Sequence, residues 1–175
     1  FNDRIINSVY YDTLKLRCAN DNLSGLSYRK KFRIRWYNRD NYFNFEIKSK
    51  ENKLTNKSIF DKGIFGQNIN FTSEKINQFL KNNHLTKICK ISYLRSYYRY
   101  KNLRITFDRN INYESLIDNK RNKSINSNEI IIEIKYSPEL QNFNNINYLI
   151  KDLPIICSRN SKYLNSLNIL GILKF

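Results

Sequence analysis

Hydrophobic and polar positions alternate with period two along much of the chain, the mark of strands that bury one face and show the other to a polar environment. In YRKKFRIRWYN, Arg29, Lys31, Arg33 and Arg35 fall on one face, and Lys30, Phe32, Ile34 and Trp36 on the other. In NYFNFEIKSK, Phe43, Phe45 and Ile47 oppose Asn44, Glu46, Lys48 and Lys50. The same alternation sets Leu103, Ile105 and Phe107 against Arg104, Thr106 and Asp108, and Ile130, Ile132 and Ile134 against Glu129, Glu133 and Lys135. In SYLRSYYRY, Arg95, Tyr97 and Arg99 share a side, with Leu94, Tyr98 and Tyr100 opposite. The pattern predicts strands over residues 4–12, 27–38, 41–50, 92–100, 103–111 and 129–137, all rich in β-branched and aromatic residues. Helical spacing is rarer: TSEKINQFLKNN carries Ile76, Phe79 and Leu80 on one face, FNNINYLIKDL stops before Pro154, and SKYLNSLNIL starts at Ser161 and ends before Gly171.

Many strands joined by short polar turns, with few helices, predict an α+β fold. The expected form is an antiparallel meander that closes, or nearly closes, into a barrel with the helices packed outside. A chain of 175 residues suits a single domain, 1–175. Hydrophobic residues at 41% and aromatics at 14% are too many for a disordered basic tail. Cys18, Cys89 and Cys157 are far apart in sequence and have only His84 for company, which argues against a zinc site or a disulfide framework and for a reducing compartment. No apolar run approaches the roughly 20 residues of a membrane span, and no signal peptide is visible. The chain opens on Phe1 without a methionine and reads as a fragment. Neither GxxxxGK[ST] nor GxGxxG occurs, so a P-loop or Rossmann phosphate site is not supported. His84, near the end of a predicted helix and with no triad-like context, reads as a surface histidine.

Charge narrows the chemistry. Lys and Arg number 31 against 15 Asp and Glu, a net charge of +16, which points to a polyanionic partner. A sheet with one face in water explains the alternation of any single strand. Arg and Lys dominating the polar faces of several strands are better explained by a barrel whose cations point inward. Such a lumen needs inward carboxylates, water or bound polyphosphate to offset the crowded charge. Arginine forks suit phosphate oxygens, and lysine acts as a mobile point charge. A carboxylate among these cations invites Mg²⁺ or Mn²⁺. Glu133 is the first candidate metal ligand and Glu46 the second; the alternative for each is an in-sheet ion pair with a neighbouring lysine.

SVYYDT, YRKKFRIRWYN, FEIKSK, RSYYRY, LRITFDR, IIEIKY and NSKYLNS occur in the order seen in the VTC-type polyphosphate polymerase domain. From about Ile5 to Ser166 the chain therefore resembles this branch of the triphosphate tunnel metalloenzyme, or CYTH-like, superfamily. The resemblance implies an antiparallel tunnel barrel that transfers the terminal phosphate of ATP to a polyphosphate chain with a divalent metal. By motif, Arg33, Arg35 and Arg104 match phosphate-binding arginines, Lys48 a phosphate-binding lysine, and Tyr97 and Arg99 further tunnel ligands. Glu133 matches the metal carboxylate, Ser161 and Lys162 match a pair near the tunnel end, and Lys57 corresponds to a further basic position. Lys31, on the same cationic row, is expected to bind substrate. Family members carry an additional N-terminal strand and helix that nothing before Phe1 supplies, which implies a tunnel short of one wall and reduced or absent catalysis. The superfamily's ExExK signature belongs to that first strand and is distinct from EIIIEIK at 129–135.

The expected partners are ATP and inorganic polyphosphate, with no nucleic acid. By resemblance, a cytoplasmic position at the face of a membrane and a fused or associated membrane domain are also expected. Two other readings stay open: a triphosphate or polyphosphate hydrolase on the same scaffold, and a non-catalytic polyphosphate- or RNA-binding module whose aromatics, as in RWYNRDNYF, stack bases on an open sheet.

Overall fold

The structure is a computed structural model that describes residues 2–40, 42–52, 54–60, 73–81, 84–100, 103–117, 123–136 and 158–175. In chain order its elements are β1 (Arg4–Asp12), α1 (Arg17–Leu23), β2 (Tyr28–Tyr37), β3 (Asn44–Glu51), β4 (Leu54–Phe60) and α2 (Ser73–Leu80). There follow β5 (Thr86–Tyr100), β6 (Leu103–Ser115), β7 (Ser124–Ser127), β8 (Ile131–Lys135) and α3 (Lys162–Ile169). The expected strands fall in place, with β5 starting earlier and β6 ending later than the alternation indicates. The helix expected over 143–153 lies outside the described residues.

All strand pairs are antiparallel, in the order β4-β3-β2-β1-β5-β6-β7, and β8 pairs with the other half of the β6 edge. This is α+β, as expected, but it departs from a simple meander. β1 to β4 run in sequence order across one half of the sheet, and β5 returns to pair with β1. Closure departs from expectation as well: among the described residues β4 and β7 end the pairing path, and no hydrogen-bonded seam joins them.

The sheet is nevertheless curled. Lys48 of β3 lies in the electrostatic field of Glu133 and Lys135 of β8, although β2, β1, β5 and β6 stand between these strands in the pairing order. One cause is a bulge in β6. Ser92 pairs with Asn112 and Leu94 with Arg109, so Asn110 and Ile111 together oppose Tyr93. Asn110 takes a left-handed φ of 53°, a conformation in which asparagine is the usual substitute for glycine, and such bulges add twist and bend the strand. Asn38 and Asn52 take the same role in the turns after β2 and β3, which is how a chain with 4 Gly makes its corners.

Each face of the sheet carries a core. On the convex face of β1–β4, Phe32, Ile34 and Phe45 pack with Ile76, Phe79 and Leu80 of α2 and Cys18 of α1. Phe79 meets Phe45 and Phe60 edge-on at 6.2 and 5.0 Å. On the concave face, Ile6, Ile91, Ile111 and Tyr113 are covered by Tyr163, Leu167 and Leu170 at α3. Tyr163 stacks on Tyr10 at 5.0 Å, and each fully buried side chain of this size contributes about 2–3 kcal/mol. The expectation that all helices pack outside is thus corrected: α2 does, α1 gives Cys18 to the outer core and Ala19 to the inner one, and α3 lies on the inner face. Its helical spacing was visible in sequence, but not which face of the sheet it would cover.

Candidate active site

Directly opposed residues of an antiparallel pair point to the same side, so the register defines one face. Lys31, Arg33 and Arg35 of β2 stand opposite Lys48, Glu46 and Asn44 of β3, and Glu46 and Lys48 stand opposite Ile59 and Lys57 of β4. Across the sheet, Arg33 and Arg35 adjoin Tyr10 and Ser8 of β1. Further along, Arg95, Tyr97 and Arg99 of β5 oppose Asp108, Thr106 and Arg104 of β6, and Thr106 and Arg104 oppose Glu133 and Lys135 of β8. The sequence-predicted residues therefore share the concave face, in the half that α3 leaves uncovered. Ser161 and Lys162, at the N-terminus of α3, reach its border.

Two buried carboxylates organise the cations. Glu46 is 1% exposed; its Oε2 accepts from Arg33 Nε at 2.6 Å, and its Oε1 pairs with Lys57 at 2.7 Å. Asp108 is fully buried and accepts both Arg95 Nε at 2.6 Å and Arg95 Nη2 at 2.7 Å, and pairs with Lys162 Nζ at 2.6 Å. Lys162 also lies over the Tyr93 ring, 5.0 Å from its centre. Burial alone would raise both carboxyls. Arg33, Arg35 and Lys57 hold Glu46 below the usual carboxylate range instead, and Arg95 and Lys162 do the same for Asp108.

A second set of cations has no carboxylate. Arg35, 8% exposed, donates to Ser8 Oγ at 3.0 Å and Tyr93 Oη at 3.4 Å. Lys31 Nζ donates to Ser161 Oγ at 2.8 Å. Burial pushes the Lys31 ammonium down to about 8, helped by repulsion from Lys48, Arg29 and Arg33. Lys48 is likewise lowered, by burial first and Arg33 second. Among the described residues Lys31, Arg35 and Lys48 form no ion pair. Arg99 and Arg104 oppose each other directly and are exposed, so they form a rim at the end of β5 and β6 rather than the enclosed position expected of them.

Among the described residues no three His, Cys, Asp or Glu side chains gather as a ready metal cage. The oxygens of Glu46 and Asp108 are already engaged by cations. Glu133 differs: its side chain is 43% exposed, and Lys135 and Arg95 stand off at 3.4 and 3.7 Å. Burial would raise it, but Lys135, Arg95 and Lys162 lower it, so it is ionised at neutral pH. One open carboxylate among cations suits the chemistry of Mg²⁺ or Mn²⁺, which take few protein ligands and complete their shells with phosphate oxygens and water.

The sequence reading did not single out Arg95, Asp108 and Tyr10 as site residues. The signal was present for Arg95 and Asp108, which alternate in phase with Tyr97 and Thr106. Tyr10 accepts from Arg33 Nη1 at 3.2 Å and sat unmarked in a run of ordinary strand residues. His84 is exposed, as expected.

Solved structures share this curled antiparallel architecture. A Bacillus halodurans protein described as a candidate adenylate cyclase superposes with a TM-score of 0.57 at 13% identity, over 93% of this chain and 81% of its own. A Pyrococcus horikoshii protein gives 0.53 at 17% identity over 98% and 85%. A Hippeastrum candidate adenylyl cyclase, described as having a dominant triphosphatase activity, gives 0.53 at 14% identity over 98% and 84%. The chain itself matches the VTC domain over residues 2–171 and belongs to that family. No curated protein sequence matches it.

Proposed function

We propose that the concave face binds a linear phosphate chain and transfers the terminal phosphoryl group of ATP to the end of an inorganic polyphosphate. The observation that carries this reading is the set of inward cations without carboxylates, Lys31, Arg35 and Lys48, beside the neutralised clusters at Glu46 and Asp108. Unpaired cations gathered on one face, with Arg35 buried, Lys31 half-buried and Lys48 exposed beside them, repel one another and suit a ligand with repeated negative charge. Membership in the VTC family supports the polymerase reading.

Arg33, Arg35 and Lys48 hold nonbridging phosphate oxygens, with Lys31 and Lys162 at the α3 end and Arg99 and Arg104 at the rim. Tyr97 and Ser161 add neutral hydrogen bonds, and Lys57 acts through Glu46 to fix Arg33. A terminal oxygen of the acceptor chain attacks the γ-phosphorus, the bond to the β,γ-bridging oxygen breaks, and ADP leaves, so the acceptor grows by one phosphate. No protein nucleophile is required; the residues align the reacting groups and spread the charge of the transferring phosphoryl. Glu133 would hold a divalent ion, which supplies charge neutralisation on the phosphate oxygens when bound. Glu46, engaged by Arg33 and Lys57, serves as the counter-ion of that cluster.

Incubation with ATP and Mn²⁺, with and without a short polyphosphate primer, tests this. Primer lengthening matched by ADP release is the expected result, and Arg35→Ala should weaken tripolyphosphate binding at least tenfold, as for truncation of a buried charge contact. Release of inorganic phosphate without lengthening would support hydrolysis instead, a second reading favoured by the triphosphatase activity described for the Hippeastrum neighbour. Displacement of bound tripolyphosphate by single-stranded RNA would favour the RNA-binding module.

A further inference from the structure

Beside Glu133 lies a buried polar atom to which the fold gives no partner among the described residues. Thr106 is 5% exposed, and its Oγ1 is buried with no hydrogen-bond partner among the described residues. Buried hydroxyls are nearly always paired, because leaving one unpaired forfeits its hydration with no return. Tyr113 Oη and Ser115 Oγ share this condition, but they stand opposite Ile91 and Cys89, in the apolar half of the concave face. Thr106 stands in the charged half. It is paired with Tyr97 on one side and Glu133 on the other, and such opposed residues hold their Cβ atoms about 4.5–5.5 Å apart. A threonine hydroxyl reaches a glutamate carboxylate across that gap by a change of glutamate rotamer.

We propose that Thr106 is the positioning residue for Glu133, its hydroxyl donating to the Glu133 carboxylate when a phosphate chain and its divalent cation occupy the site. This rests on the function proposed above. In the ligand-free fold Glu133 is held loosely by Lys135 and Arg95. Both are cations, so neither can share the carboxylate with a divalent ion without repulsion. The Thr106 hydroxyl is neutral and can, and the fold keeps it buried at the position directly opposed to Glu133, from which it orients the ligating oxygens.

The test is titration of inorganic tripolyphosphate, with and without Mn²⁺, into wild type, Thr106→Val, Thr106→Ser, Glu133→Gln and the Thr106→Val/Glu133→Gln double variant, alongside ligand-free melting curves. Valine keeps the shape and β-branching of threonine and deletes the unpaired oxygen. Thr106→Val should therefore melt at or above the wild-type temperature yet bind tripolyphosphate in Mn²⁺ about tenfold more weakly, the loss of one hydrogen bond to a charged group. Without Mn²⁺ its affinity should equal that of wild type. Thr106→Ser should retain wild-type behaviour, and Thr106→Val should add nothing to Glu133→Gln. The inference is overturned if Thr106→Val binds as tightly as a wild type whose binding depends on Mn²⁺, if it melts lower, or if its loss persists in the Glu133→Gln background. A wild type that binds no tripolyphosphate overturns the proposed function, and the inference with it.

Discussion

Lys31 shows how a single side chain couples burial to function. Its ammonium is shielded by the fold and crowded by Lys48, Arg29 and Arg33, which together bring it down to about 8; Ser161, at the N-terminus of α3, accepts its hydrogen bond. A bound phosphate favours the charged form and raises that value again, so binding takes up a proton wherever the free site has lost one. Tripolyphosphate affinity should fall as pH rises through about 8, by up to about tenfold per pH unit. Lys31→Arg, which stays charged, should flatten the slope relative to wild type, a comparison that cancels the titration of the ligand; calorimetry in buffers of different ionisation enthalpy reads the proton uptake directly. The cationic row that contains Lys31 was legible from period two alone. What the sequence could not show was which of its members would be neutralised, since the carboxylate responsible for Arg33, Glu46, comes from another strand through register.

Elements matter through what pins them. Asp12, at the end of β1, is fully buried and accepts from the backbone N–H groups of Thr13, Cys18 and Ala19 and from Tyr163 Oη at 2.7 Å. One carboxylate thus caps α1, which lacks a side-chain cap of its own, and fixes α3, which carries Ser161 and Lys162. Asp12→Ala should cost on the order of 3 kcal/mol, the range for stranding several buried donors, measured by urea unfolding; Tyr163→Phe should cost less, since it keeps the stack on Tyr10. The strands of the sheet were readable because their alternation survives in composition, and α3 because Ser161 caps it. The short α1, β4 and β7 were missed: β4 is exposed almost throughout and so lacks a buried face to mark it. The bulge at Asn110 explains why the β6 pattern read cleanly only to 111. It shifts the phase by one residue, so that Asp108 and Ile111 share the concave face, and an uninterrupted period-two count places them on opposite sides.

Over the whole molecule, the net charge of +16 is arranged rather than scattered. Glu46, Asp108 and Glu133 all titrate below their ordinary range in the fold. Depressed carboxylates contribute stability that is full at neutral pH and is lost as pH falls from about 5 toward the lowered folded values. The melting temperature should therefore drop steeply between pH 5 and 3 in this direction only, and Glu46→Gln should melt lower at pH 7 with a shallower acid slope. No helix among the described residues is long and apolar enough to cross a membrane. Because the Asp12 to Tyr163 bond joins positions 151 residues apart, the inner core is finished only once α3 has been made. Until then the nascent sheet shows Tyr10, Ile91 and Tyr113 to water without their cover, so truncation before Tyr163 should yield a sticky, chaperone-dependent species even though β1 to β8 have already been made.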